Sequence, residues 1–198
     1  MKISIESENI FYKKGLGFLI QEMFPEDKIH DFLLITDGQQ QEEGEMLNII
    51  FRDSSISINL YNKKIKDDEL NPNNKKSTLH IPFACKNKKT TDIKWMIGKI
   101  IFIASLKIDE YSNDDFYNIT GLKKHEQLSL TETKIMLSIG RGDDINVISG
   151  QLNRSEKTIH VHWRNASRKM RMENKADFYN YAKFILTCRK NERKTLCL

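Results

Sequence analysis

The chain has 198 residues, 39% of them hydrophobic and 30% charged, with a net charge of +5. That length suits one large domain or two small ones, and the composition is that of a strongly solvated globular chain. The longest apolar run, Ile97 to Leu106, is broken by Gly98, Lys99 and Ser105, which excludes a membrane-spanning helix. Charge is unevenly placed. Gly121 to Leu198 holds 16 basic and 8 acidic residues, whereas Met1 to Thr120 holds 16 basic and 19 acidic. A basic last third fits a module that faces a polyanion, although ordinary surface charge gives a weaker form of the same asymmetry. Cys85, Cys188 and Cys197 form no CxxC pair and have no His at zinc spacing, so neither a zinc site nor a disulfide framework is expected and a cytoplasmic setting fits. Acidic residues come too early for a signal peptide.

In chain order, Ile3 to Ile5 reads as a first strand. Ile10 to Phe24 carries Tyr12, Leu16, Leu19, Ile20 and Met23 at helical spacing. Further strands are predicted at Phe32–Ile35, Leu47–Phe51, Ile56–Tyr61 and Leu79–Ala84, with Lys63 to Ser77 a polar excursion. Thr90 or Thr91 caps a helix that buries Ile93, Met96, Ile97, Ile100 and Ala104. These elements make residues 1–108 a small α/β domain. Residues 109–125, rich in Asp, Asn, Lys and Gly, read as a linker.

Residues 126–190 then read as an all-α domain of four helices, followed by a tail over 191–198. Ser129 and Glu132 form a capping box ahead of Ile135, Met136 and Ile139. Gly140 and Gly142 end that helix. Asp143 or Asp144 caps the next, with Ile145, Ile148 and Leu152 inward. Asn153-Arg154 turns the chain, and Ser155 caps a third helix. Asn174 to Asp177 caps a fourth, where Phe178, Tyr181, Ala182 and Ile185 share a face.

The third helix has two distinct sides. Steps of three and four group Ile159, His162, Ala166 and Met170 on an apolar side. Lys157, Val161, Arg164 and Arg168 lie on the other, beside His160. Arg164 suits a bidentate contact to guanine, His160 a hydrogen bond to a base edge, and Val161 a thymine methyl. Lys157, Thr158, Arg168 and Lys169 suit phosphates, which fix register without reading sequence. A charged helix face is more often merely solvated, but the preceding short helix, the tight turn and the local excess of cations favour a helix for the DNA major groove. His162 reads as a core histidine rather than a ligand, and Trp163 fits either a packed or an exposed site.

These residues resemble the LuxR/NarL-type helix-turn-helix family. Leu128-Ser129-Leu130-Thr131-Glu132-Thr133-Lys134-Ile135-Met136 is similar to its LTxxExxVL opening, Ser155 to His162 to its SxxTVxxH, and Arg168-Lys169-Met170 to its RKL. Gly142, Ile148 and Leu152 fall on scaffold positions. The similarity runs ungapped from Leu128 to about Ala182. Its usual NKEIA is here Ile145-Asn146-Val147-Ile148-Ser149, which removes charge from the scaffold helix. The resemblance implies base reading by His160, Val161 and Arg164, phosphate contact by Lys157, Thr158 and Lys169, and pairing of two subunits through the Phe178–Ile185 face. That face equally suits packing on the three-helix core.

The first domain resembles the receiver domain of this family in degenerate form. Ile3 to Asn9 followed by Gly15-Leu16 is similar to ILIVDDH…GL. Its acidic pair falls on Ser7 and Glu8, its phosphoacceptor on Thr36 with Asp37 one residue late, and its last-strand lysine on Lys86. With one carboxylate lost, the resemblance implies a pseudo-receiver that works without phosphorylation. Size and layout are similar to FimW-like fimbrial-operon regulators and RcsA-like capsule regulators.

The expected function is therefore a sequence-specific transcription regulator that binds double-stranded promoter DNA. It acts as a homodimer or with a related regulator, and no catalytic residue, metal or cofactor is expected. Two alternatives stand: a protein-interaction module that modulates another response regulator while binding DNA weakly, and a phosphorylated response regulator using Asp37.

Overall fold

The computed structural model describes residues 1–24, 33–35, 49–60, 77–106 and 112–198. The excursion at 63–76 and the residues Thr36 and Asp37 lie outside them. Among the described residues six strands form one sheet: β1 (Lys2–Ile5), β2 (Leu33–Ile35), β3 (Ile49–Phe51), β4 (Ser55–Leu60), β5 (Ser77–Pro82) and β6 (Lys194–Thr195). Their order is β2-β1-β3-β4-β5-β6. β1 pairs in parallel with both β2 and β3, whereas β3–β4 and β4–β5 are antiparallel. The reversal at β4 follows from chain length. Only Arg52 to Ser54 join β3 to β4, a hairpin turn that cannot make the long crossover a parallel pair requires.

Side chains alternate across a strand, so each face of the sheet has its own chemistry. One face presents Ile3, Ile5, Ile49, Phe51, Ile56, Ile58 and Ile81, all buried. Helices α1 (Ile10–Glu22) and α2 (Thr90–Ser105) supply Leu16, Ile20, Ile93, Met96, Ile97, Ile100 and Ile103 to the same core. Asn9 caps α1 by accepting from the amides of Phe11 and Tyr12. The N-cap of α2 is Lys89 and makes no side-chain cap bond, so neither Thr90 nor Thr91 serves as expected. The other face of the sheet carries Ser4, Ser57 and His80, which are also buried.

The expected linker is folded. Within it α3 (Asn113–Thr120) starts at Ser112, which shares a capping box with Asp115. Phe116 of α3 enters the core of the first domain, and Thr120 is fully buried. The tail is folded too. It runs through β6, parallel to β5, with Leu196 in the first domain's core and Cys197 in the helical core. The chain therefore returns to its first domain after completing its second. The helical domain comprises α4 (Leu130–Arg141), α5 (Ile145–Leu152), α6 (Glu156–Lys169) and α7 (Lys175–Thr187). No helix among the described residues is long and apolar enough to cross a membrane.

Candidate nucleic-acid interface

Helix α4 is held at both ends by its own sequence. Ser129 Oγ accepts from the Glu132 amide at 3.2 Å, and Glu132 Oε2 accepts from the Ser129 amide at 2.7 Å. Gly142 closes the helix in the left-handed region, φ +90°. Gly140 does not end it. A Cβ there would lie 2.7 Å from the Ala182 carbonyl, so this glycine lets α4 and α7 approach closely. Asp144, not Asp143, caps α5; Asp143 instead accepts from the Arg141 guanidinium at 2.8 Å.

Ile135, Ile148 and Ile159, one each from α4, α5 and α6, are fully buried against one another. Each contributes roughly 2 kcal/mol by leaving water. An eight-residue helix such as α5 does not persist in isolation, so this packing is what keeps it folded. Asn153, φ +49°, turns the chain between α5 and α6. Ser155 then caps α6 by accepting from the Thr158 amide at 3.2 Å, and the Ser155 and Thr158 hydroxyls are 2.9 Å apart.

The turn and cap fix how α6 is rolled. Ile159, Ala166 and Met170 face inward and are buried, and His162 is half-buried beside them. Lys157, His160, Val161, Arg164 and Arg168 are exposed together, Val161 at 47%. A valine half open to water on a cationic face has the features needed to meet a thymine methyl. Thr158 is half-buried and its hydroxyl is engaged with Ser155. Residues 126–182 match the family model described as bacterial regulatory proteins, luxR family. This segment is similar to the LuxR-type helix-turn-helix domain. The family is one of DNA-binding transcription regulators, generally without enzymatic activity. No curated protein and no solved structure matches the chain.

Two sets of expected site residues lie elsewhere in the LuxR-type domain. Lys169 Nζ is turned inward, 2.8 Å from Glu132 Oε2 and 2.9 Å from the carbonyl of Gln127. Burial alone would raise the Glu132 carboxyl, but the hydrogen bonds from Lys169 and Ser129 outweigh it and hold the group below its usual range. The pair joins α6 to the capping box of α4, so Lys169 is committed to the fold rather than to a phosphate. Phe178, Tyr181, Ala182 and Ile185 are all fully buried, packed with Met136, Ala166 and Met170 of the same chain. The face expected to pair subunits is spent inside the monomer, because α7 lies across α4 and α6 and not beyond them.

Trp163 resolves into a bridge. Its indole packs against Phe178 with ring centroids 6.0 Å apart, and it stacks near-parallel to His160 at 6.1 Å. Lys175 Nζ lies 5.3 Å from the same ring. An exposed side chain of α6 is thus backed by an aromatic that reaches the core. Sequence spacing signals the His160–Trp163 neighbourhood, three residues apart on a helix, but not the contribution of Lys175 from the next helix.

The LuxR-type domain is anchored to the first domain at a defined joint. Tyr181 donates its hydroxyl to the His80 carbonyl at 3.2 Å and lies 3.1 Å from Thr195 Oγ1. Phe184 meets the His80 ring edge-on at 5.3 Å, and the Arg52 guanidinium sits 5.0 Å over Phe184. Gln127 both donates to the Cys197 carbonyl and accepts from its amide. With the joint on the α7 side, the exposed face of α6 stays open.

Proposed function

We propose that the chain is a sequence-specific, DNA-binding transcription regulator acting in the cytoplasm, with His160, Val161 and Arg164 reading bases. Lys157, Thr158 and Arg168 position α6 on the phosphates. The observation that carries this reading is the roll of α6, which turns that set outward while Ile159 and Ala166 hold it from behind. Arg164→Ala is expected to cost about 1–3 kcal/mol of discrimination between the operator and random duplex while leaving salt-dependent binding to random duplex. Equal loss on both would sink the base-reading role.

The first domain serves this regulator as a pseudo-receiver. The strand order β2-β1-β3-β4-β5 is that of flavodoxin-like sheets, with β4 reversed, and supports the receiver resemblance. Phosphorylation independence draws support from the end of β1. There Ser7 donates to Asp53 Oδ1 at 2.5 Å, and Glu6 pairs with Arg52 at 2.9 Å. Asp53, just beyond β3, is the carboxylate that meets the degenerate acidic position. The chain is expected to take up no phosphoryl group from a small phosphodonor with Mg²⁺, and labelling of Asp53 would overturn this part.

The regulator works as a homodimer or with a related regulator. Ile10, Phe11 and Phe18 of α1 are exposed, Phe11 at 84%, and support pairing through the first domain. The same residues favour the second reading, in which the chain chiefly captures another regulator and its own DNA binding is weak. Sedimentation of Phe11→Asp/Phe18→Asp alone and with a partner regulator separates the two. Fimbrial genes as targets rest on size and layout, and a footprint across fimbrial promoters tests them.

A further inference from the structure

The basic face of α6 does not stop where the helix stops. Lys157, Val161, Arg164 and Arg168 are exposed along it, and Arg171 follows, exposed and in the left-handed region at φ +53°. Arg171 is where the two domains meet on this side. Its guanidinium lies 5.0 Å over the Trp95 ring of α2, and its carbonyl accepts from Lys88 Nζ at 3.1 Å. Lys88 belongs to the turn between β5 and α2, Lys86-Asn87-Lys88-Lys89. That turn is closed by a bond from the Lys88 amide to the Cys85 carbonyl and by Asn87 at φ +63°. Lys86 and Lys89 are exposed on it. An open cavity of about 460 Å³ borders the same region, lined by His125, Arg168, Lys169 and Arg171 among others. Acids nearby among the described residues include Glu126, which lines this cavity and is ion-paired to Lys123 at 3.4 Å, Asp92 in the first turn of α2, and exposed Glu173, two residues beyond Arg171.

Cations from both domains are thus held side by side by two specific contacts. The dimensions decide what they meet. From Lys157 to Arg168 the helix advances about 16 Å, more than the roughly 12 Å width of a major groove. A helix that enters that groove at an angle, with its N-terminal residues on the base edges, therefore carries its C-terminal end out toward a flanking phosphate strand.

We propose that the Lys86–Lys89 turn of the first domain is a second contact on the DNA backbone, made to the same duplex that α6 reads. The inference rests on the DNA-binding reading of α6. It gives the first domain a direct part in binding, by charge alone and without base specificity. The extra contacts enlarge the electrostatic share of affinity and lengthen the footprint to one side of the site read by α6.

The test uses the full chain, a duplex selected from a random pool, and a random duplex. Lys86→Ala/Lys89→Ala leaves Lys88 on its carbonyl and changes only exposed side chains, and an unchanged thermal melt verifies the fold. The slope of log affinity against log salt is expected to fall by about 1.8, at roughly 0.9 per phosphate, equally on both duplexes. The ratio between selected and random duplex is expected to stay the same, and Lys86→Arg/Lys89→Arg to keep the original slope. An unchanged slope overturns the proposal. An unchanged slope with lost binding to a poly-glutamate peptide overturns it in favour of an acidic protein partner. Failure of the underlying reading looks different: the unmodified chain then binds no duplex, or Arg164→Ala leaves its selectivity intact.

Discussion

The hydroxyl of Tyr181 and the carbonyl of His80 are 3.2 Å apart although 101 residues separate them in the chain. One belongs to the last helix of the LuxR-type domain, the other to β5, next to the β6 edge of the sheet. Tyr181→Phe removes the donor and leaves a buried carbonyl with only the Leu196 amide. Stability is expected to fall by about 1–2 kcal/mol, read from urea unfolding. A single transition is expected in both proteins, because the joint couples the domains. Two separate transitions in the unmodified chain would show the domains to be independent.

His80 makes that joint sensitive to acid. Burial and the neighbouring Arg52 guanidinium lower its pKa to about 4, against 6.5 for a free histidine. The unfolded chain therefore binds the proton first as pH falls. Stability from this group is complete above about pH 6.5 and is lost progressively toward pH 4, a change of about 2–3 kcal/mol. The difference in unfolding free energy between the native chain and His80→Gln is expected to shrink from pH 7 to pH 4.5. A pH-independent difference would remove His80 as the cause.

Lys169→Met distinguishes a fold residue from a phosphate contact. It strands the Glu132 carboxylate, whose side chain is 5% exposed, beside the start of α4. The expected cost is about 3–5 kcal/mol of stability. Arg168→Ala, one residue away and exposed, is expected to leave the melt unchanged and lower the salt slope of DNA binding by about 0.9. The reverse pattern would restore Lys169 to the interface.

Gly140→Ala tests the close approach of α4 and α7. The added methyl meets backbone atoms of Ala182, which cannot swing aside as a side chain does. A loss of about 1–3 kcal/mol is expected from overpacking, although alanine is the better helix former by about 1 kcal/mol. Increased stability would mean that the helices can separate at no cost.

The helical domain was legible because its signals are local. Ser129-x-x-Glu132, Ser155 and Asn174 mark caps, and the inward residues recur at three and four. Even so, sequence spacing shows which residues share a face, not whether another chain or the same chain covers it. Phe178 to Ile185 are an example. α3 escaped notice because Asp114, Asp115 and Asn118 give it a linker's composition; its Ser112–Asp115 box uses Asp where the usual pattern has Glu or Gln. β6 escaped because two residues carry no periodicity at all. The inward turn of Lys169 was hidden for a further reason. Its partner Glu132 is 37 residues away, and a lysine beside an arginine looks equally solvated in a sequence.

β6 has a consequence for how the chain is made. β5 is made well over a hundred residues before β6, yet the pairing partner of Leu79 is Lys194, and Leu196 closes the first domain's core. A contact of that sequence separation forms slowly and late. The first domain therefore leaves the ribosome with one sheet edge bare, and bare edges invite pairing with other chains. Helices α4 to α7 emerge and can fold before the domain that precedes them is complete, which reverses the usual order of assembly.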